Sequence, residues 1–451
     1  MINLSISIVH SSKSINMKNK IYSIIIFLFF SAFICQAQDN VYPIAAHKGW
    51  TAITGGTIHV GNGTVINNGT ILIKDDKISS VGDNIKAPSD AAIINASGKQ
   101  IYPGIIATNT YLGLAELSSI RASSDNTELG TMNPSIQSIM AYNAESKVIP
   151  TIRSNGVLLA HIVPRGGTIS GTSSIVQLDG WNWQDAAYKM NNGIHLNMPA
   201  LMSRANPFFQ NPNQPSPADV LKNALTRVGE IRNFLREAKA YNSTTTHAST
   251  NLKYDAVKGL FDHSQKLFIH CDLVKEITMA IDIKNEFGID IVIVGGADSY
   301  LMAETIKEYN VPVILSEPHS LPTTADDAVD QPYKTGAALQ KAGVLFSMCI
   351  EADHWQQRCL PFQAGTMAAY GLTKEQALTS ITLSAAKILG IDQMTGSIES
   401  GKDANIVISE GDILDMKSSK VTHAFIQGRP INLDNKHTQL YEKYKYKYGL
   451  K

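Results

Sequence analysis

Ile101-Tyr102-Pro103-Gly104-Ile105-Ile106-Ala107-Thr108-Asn109-Thr110-Tyr111-Leu112-Gly113-Leu114 is the stretch on which the fold turns. Pro103 and Gly104 punctuate the chain. The apolar run Ile105 to Thr108 that follows reads as a short strand buried on both faces, the habit of parallel sheets. It runs out into two polar side chains, Asn109 and Tyr111.

Five more runs have that character: Val157 to Val163, Leu267 to Cys271, Ile291 to Val294, Val311 to Leu315 and Val344 to Ile350. Helical patterns cover Val220 to Tyr241, Val274 to Glu286, Ala303 to Glu308 and Lys374 to Leu389. Strand and helix in alternation predict a parallel sheet with crossover helices, and the length available suits a (β/α)₈ barrel of roughly 250 residues. The barrel is assigned to residues 104–392, with Asn206 to Pro217, rich in Asn, Pro and Gln, as a surface loop or insertion.

Outside the barrel the pattern changes. Ile53 to Val60 and Gly69 to Gly82 alternate and are punctuated by turn residues, with Lys74-Asp75-Asp76-Lys77 as a hairpin loop. Gly396 to Ile408 and Val421 to Arg429 read the same way. Residues 50–103 and 393–433 are therefore expected to form one small β-sandwich built from both chain ends. Residues 434–451 are expected to be a polar tail, with Tyr441 to Lys451 solvated or frayed.

The first 37 residues read as a leader. Lys18 and Lys20 precede an apolar run from Ile21 to Ile34 and then Cys35-Gln36-Ala37-Gln38, the build of a Sec signal peptide too short to span a bilayer. Translation is expected to start at Met17, with cleavage after Ala37 and an exported, periplasmic mature chain. Of four cysteines, Cys35 would leave with the leader. Cys271, Cys349 and Cys359 then make an odd set, read as buried thiols with a Cys349–Cys359 bridge as the alternative. Thirty-nine Lys and Arg balance thirty-nine Asp and Glu, and no basic block appears, which argues against nucleic acid and anionic membrane as partners. No later segment approaches a membrane-spanning length.

The stretch around Asn109, together with Ile53-Thr54-Gly55-Gly56-Thr57-Ile58, Asp76 to Gly82 and Gly396-Ser397-Ile398-Glu399-Ser400-Gly401-Lys402-Asp403-Ala404-Asn405-Ile406-Val407, resembles the amidohydrolase superfamily, and within it the imidazolonepropionase-like branch. The resemblance covers nearly the whole mature chain. It implies a distorted barrel beside a β-sandwich, and hydrolysis of non-peptide C–N bonds by water activated on a divalent metal. In the family the first strand ends in two metal-binding histidines, and this chain has Asn109 and Tyr111 there. The third family histidine falls at His270 or Asp272, the fourth at Gly295, and the catalytic aspartate at Glu351. An amide, a phenol and a glycine are poor substitutes for imidazole.

The expectation is accordingly a family member with a degenerate site and no favoured metal, binding a small molecule or acting as a regulatory partner, for instance of a catalytically complete relative. Two other readings stay open. His270, His319 or His354 could ligate a relocated metal with Glu351 as base, Glu317 and Asp353 lying on the same strand ends, giving an active hydrolase of amides, lactams or dipeptides. A purely structural subunit is the third. Arg165-Gly166-Gly167-Thr168-Ile169-Ser170-Gly171-Thr172 reads either as an anion cradle or as a plain turn. No nucleophile elbow, P-loop or dinucleotide fingerprint is present.

Overall fold

A computed structural model of the chain describes residues 42–117, 119–202, 216–244, 246–324 and 326–450. The expected leader and most of the Asn206–Pro217 segment lie outside the described residues. Pro43–Lys451 forms one compact unit.

Sixteen strands are found among the described residues. Five come first: β1 (Trp50–His59), β2 (Val65–Lys74), β3 (Lys77–Gly82), β4 (Ala92–Asn95) and β5 (Gln100–Pro103). Then follow β6 (Ile105–Thr110), β7 (Val157–Ile162), β8 (Ile169–Gln177), β9 (Ala187–Asn197), β10 (Lys266–Cys271), β11 (Ile291–Gly295), β12 (Val313–Leu315) and β13 (Phe346–Met348). The last three are β14 (Ile406–Ser409), β15 (Val421–Ile426) and β16 (Arg429–Pro430).

Strands β6 to β13 follow one another in a single eight-stranded sheet. Its two edges meet where Thr108 bridges Cys349 and the Thr108 hydroxyl donates to the Met348 carbonyl at 2.9 Å, so the sheet is a nearly closed barrel. All six strands read from the sequence are present. Two were missed, and both correct the expectation of an all-parallel barrel, because β8 pairs antiparallel with β7 and β9. The reason is local. β8 reads ISGTSSIVQ and β9 reads AYKMNNGIHLN, with polar residues where an apolar run was sought, yet every residue of β8 is buried. Its hydroxyls are spent internally, as where Ser173 donates to the Gly193 carbonyl at 3.2 Å.

The helical pattern Lys374 to Leu389 is two helices, Lys374–Ser380 and Leu383–Leu389, broken at Thr382, whose backbone leaves the helical region. Cys271, Cys349 and Cys359 are free thiols, the first two buried and Cys359 only partly so. The tail expected to fray is instead the helix Lys436–Lys447, capped by Asn435.

The chain ends form a second sheet in the order β16-β15-β14-β5-β1-β2-β3, with β4 on β1. Ile78 of β3 and Ile406, Ile408 and Phe425 from the opposite end of that order share one apolar core with Ile53, Ile58 and Ile73. The sheet therefore folds over on itself, and it is tied shut where the Ile78 amide donates to the Lys402 carbonyl at 2.9 Å. Arg429 of β16 joins this sheet to the barrel. Its guanidinium reaches Gln177 Oε1, at the end of β8, and Asp179 Oδ2, just past it, each at 3.1 Å, and Arg153 takes the other oxygen of Asp179. No described helix is long and apolar enough to cross a membrane.

Candidate functional site

Catalytic positions in barrels of this kind come from the ends of several strands at one mouth. Here β6 delivers Asn109 and Tyr111. Between Ala107 and Thr110 the pairing with β7 slips, and Asn109 sits in the left-handed region at φ 50°. A bulge of this sort re-aims a side chain, and asparagine is among the few residues that tolerate that conformation. The re-aimed amide donates to Glu351 Oε1 at 3.1 Å. Tyr111 donates its hydroxyl to Asp353 Oδ1 at 3.1 Å. The guanidinium of Arg165 stacks on the Tyr111 ring at 4.1 Å from its centroid, and donates to the Glu351 carbonyl at 2.9 Å.

Glu351 follows β13 and is held through its own amide, which donates to Glu317 Oε2 at 2.7 Å. Burial raises its carboxyl to about 7, the charges of Asp272 and Glu317 add to the rise, and Arg165 opposes it. Asp272 follows β10, and its backbone is fixed by Glu276, which accepts from the Asp272 and Leu273 amides at 3.1 and 3.3 Å.

Gly295 closes β11 at φ 99°. A Cβ at that position would lie 2.5 Å from Asp272 Oδ1 and 3.0 Å from the Cys271 carbonyl. A small cavity of about 50 Å³ opens beside it, lined by Gly295, Ser316, Glu317, Leu321, Asp327 and Gln331 among others. That is room for one or two waters, far below an ordinary small-molecule pocket.

The structure thus gathers Asn109, Tyr111, Asp272, Gly295, Glu351 and Asp353 at one mouth. His354 joins them, its ring 5.1 Å from that of Tyr111, almost wholly buried and lowered in pKa by that burial. His319 does not. It is exposed and turned to the outer face, its Nε2 2.8 Å from the Thr366 hydroxyl. Of the Arg165–Thr172 stretch, residues 165–168 lie in the turn between antiparallel β7 and β8, and Ile169 to Thr172 open β8. The Arg165 and Thr168 amides are taken by the Asn126 carbonyl at 2.6 Å and the Thr131 carbonyl at 2.7 Å on the neighbouring loop.

Beneath the mouth lies a group that sequence reading missed. His161 of β7 and His195 of β9 are fully buried, and both rings pack against Phe268. His195 Nδ1 is 2.9 Å from His270 Nε2. If His195 donates, its unpaired Nε2 carries only a lone pair; the reverse tautomer would strand an N–H, which costs more. Burial drives all three imidazoles down, His161 to about 3, His270 to about 4 and His195 well below its ordinary value, with mutual repulsion adding at His161 and His195. The available signal was a histidine inside each of two strands, one of them unrecognised.

These residues do not fit the divalent metal that the resemblance implies. Asn109 presents an N–H toward Glu351 where a ligand needs a lone pair, and the Tyr111 hydroxyl is committed to Asp353. Position 295 has neither a side chain nor space for one. Among the described residues no group of three or more His, Cys, Asp or Glu side chains is arranged to hold a metal ion.

The model of the Amidohydrolase family matches residues 184–431. The chain belongs to that family. A curated relative, "Amidohydrolase tasK" of Hapsidospora irregularis, is 21% identical over 381 residues, covering 78% of this chain and 39% of that protein. The chain therefore spans about two fifths of the length of that amidohydrolase. Among solved structures, an amidohydrolase from Thermotoga maritima MSB8 matches with a TM-score of 0.73 at 24% identity, covering 84% of this chain and 99% of the other. A putative prolidase from Bifidobacterium longum matches with 0.53 at 15%, covering 89% and 100%. At these identities the two structures establish the amidohydrolase barrel alone.

Proposed function

We propose that this chain is an exported amidohydrolase-family protein that works without a metal, binding a small molecule at its barrel mouth or acting as a regulatory partner of a catalytically complete relative. The observation that carries the reading is the Asn109 to Glu351 hydrogen bond: a family metal position and the family's acidic position are joined directly to each other. Export rests on the leader sequence alone, Lys18 and Lys20 before Ile21 to Ile34 and Ala37.

A second reading has one observation in its favour. A carboxyl raised to about 7 is poised for general acid–base work near neutrality, so weak metal-independent hydrolysis at Glu351 is its natural form.

The test is elemental analysis of the purified mature protein, with amide, lactam and dipeptide hydrolysis assayed before and after adding zinc, manganese or iron. The expected result is substoichiometric metal and no metal-stimulated turnover. Tightly bound stoichiometric metal with activity abolished in Glu351→Gln would replace this reading by the relocated-site hydrolase. N-terminal sequencing of native protein checks export, the expected first residue being Gln38.

A further inference from the structure

The helix Lys436–Lys447 buries none of its residues, although it carries three tyrosines, with a fourth just past its end. Tyr441 is 64% exposed, Tyr446 91%, and Tyr448, just beyond its end, 65%. Nor is it a frayed end, because the Asn435 side chain accepts from the His437 and Thr438 amides at 2.8 and 3.2 Å.

Helical spacing of about 100° per residue puts Lys436, Lys443 and Lys447 in one narrow sector, with Tyr444, Tyr448 and Tyr441 filling the next. Contacts agree with that placement. The Lys447 ammonium lies 5.9 Å from the Tyr444 centroid and 5.2 Å from that of Tyr448. Four lysines, at 436, 443, 445 and 447, face a single acid, Glu442, so this one helix carries a net charge of +3 in a chain whose total is zero. The folded tail thereby makes the aromatic and basic strip that the bare sequence did not reveal.

We propose that this helix docks the protein on an anionic phospholipid surface. Ammonium groups on flexible stems reach headgroup phosphates, and tyrosine rings favour the boundary between headgroups and acyl chains. Nucleic acid would also accept lysine and stacked tyrosine, but it calls for a basic footprint wider than one helix face on an otherwise neutral chain.

The experiment is co-sedimentation of the chain from Gln38 onward, free of the apolar leader, with vesicles of phosphatidylglycerol and phosphatidylcholine or of phosphatidylcholine alone. Binding is expected only to the anionic vesicles, and is expected to be lost between about 50 mM and about 500 mM salt as screening shortens the reach of the charges. Each lysine on the strip is expected to contribute about fivefold. The K443E/K447E variant should therefore bind at least about twentyfold more weakly. Y444A/Y448A should weaken binding while leaving its salt dependence unchanged. Thermal melts of both variants, matched to the parent, establish that the fold is intact. Equal sedimentation with neutral vesicles, parent-like binding by K443E/K447E, or tighter binding to a single-stranded oligonucleotide than to anionic vesicles would each overturn the proposal.

Discussion

The carboxylate of Asp272 occupies the space that a side chain at position 295 would need, since a Cβ on Gly295 would come within 2.5 Å of its Oδ1. The glycine and the aspartate are thus one arrangement, set by the Glu276 carboxylate that holds the Asp272 backbone. Restoring a histidine at 295 alone would not restore a metal ligand.

Gly295→Ala is expected to destabilise the protein by roughly 2 kcal/mol or more, from the clash and from a backbone at φ 99° that side chains rarely adopt. Asp272→Ala should relieve the closer contact and leave the Cys271 carbonyl at 3.0 Å and the backbone strain. In urea unfolding, the double variant should therefore lose less than the two singles added together. Strict additivity would mean that the two positions are independent.

How much of this was legible follows from what each residue answers to. The flanking strands and six barrel strands are driven by apolar burial, which leaves a mark in the residue order, as in Ile291 to Val294. β8 and β9 escaped because their buried polar groups are satisfied by each other, a relation that appears only after pairing. Asn109, Tyr111, Gly295 and Glu351 were found by position within a motif. That Asn109 would turn toward Glu351 depends on a bulge opposite His161, and that Gly295 is excluded by Asp272 depends on a neighbouring strand. The histidines at 161 and 195 carry no motif, and the fold alone brings them together.

The joint between the two sheets gives a second test. Arg429 and Asp179 are both about nine-tenths buried, and Arg429 also donates to the Asp179 carbonyl at 3.1 Å. Removing one partner of a buried pair costs about 3–5 kcal/mol because the other charge is left in a poor solvent. Arg153 still faces Asp179, so Arg429→Leu should fall near the lower figure. Chemical denaturation measures it, and a loss under about 1 kcal/mol, the worth of an exposed pair, would show that the joint is wet.

The phenol of Tyr111 supports Arg165 by its ring and Asp353 by its hydroxyl, and the two roles separate by substitution. Tyr111→Phe should cost only about 1 kcal/mol, the net worth of one hydrogen bond. Tyr111→Ala should cost about 3 kcal/mol or more, since a buried aromatic leaves a cavity. Guanidinium chloride titrations compare the pair. Equal losses would place the stabilisation in the hydroxyl and remove the ring's role as a platform.

Two opposed titrations predict a stability that climbs from acid pH and levels off just above neutrality. His161, His195 and His270 have folded pKa values below the ordinary 6.5, so beneath that pH the unfolded chain takes up protons that the folded chain refuses. Their contribution is full above 6.5 and is lost as pH falls toward about 4. Glu351 acts the other way. Its folded value of about 7 lies above the ordinary 4.5, so across that window the folded chain holds a proton that the unfolded chain has released, and stability declines as pH rises. Three groups against one make the imidazoles dominate. Melting temperatures between pH 4 and pH 8.5 should rise steeply to about 6.5 and level off above about 7.5. Glu351→Gln should steepen the rise between about pH 5 and pH 7, and His195→Phe should shallow the acid limb. An acid limb left unchanged by His195→Phe would mean that the buried imidazoles do not carry it.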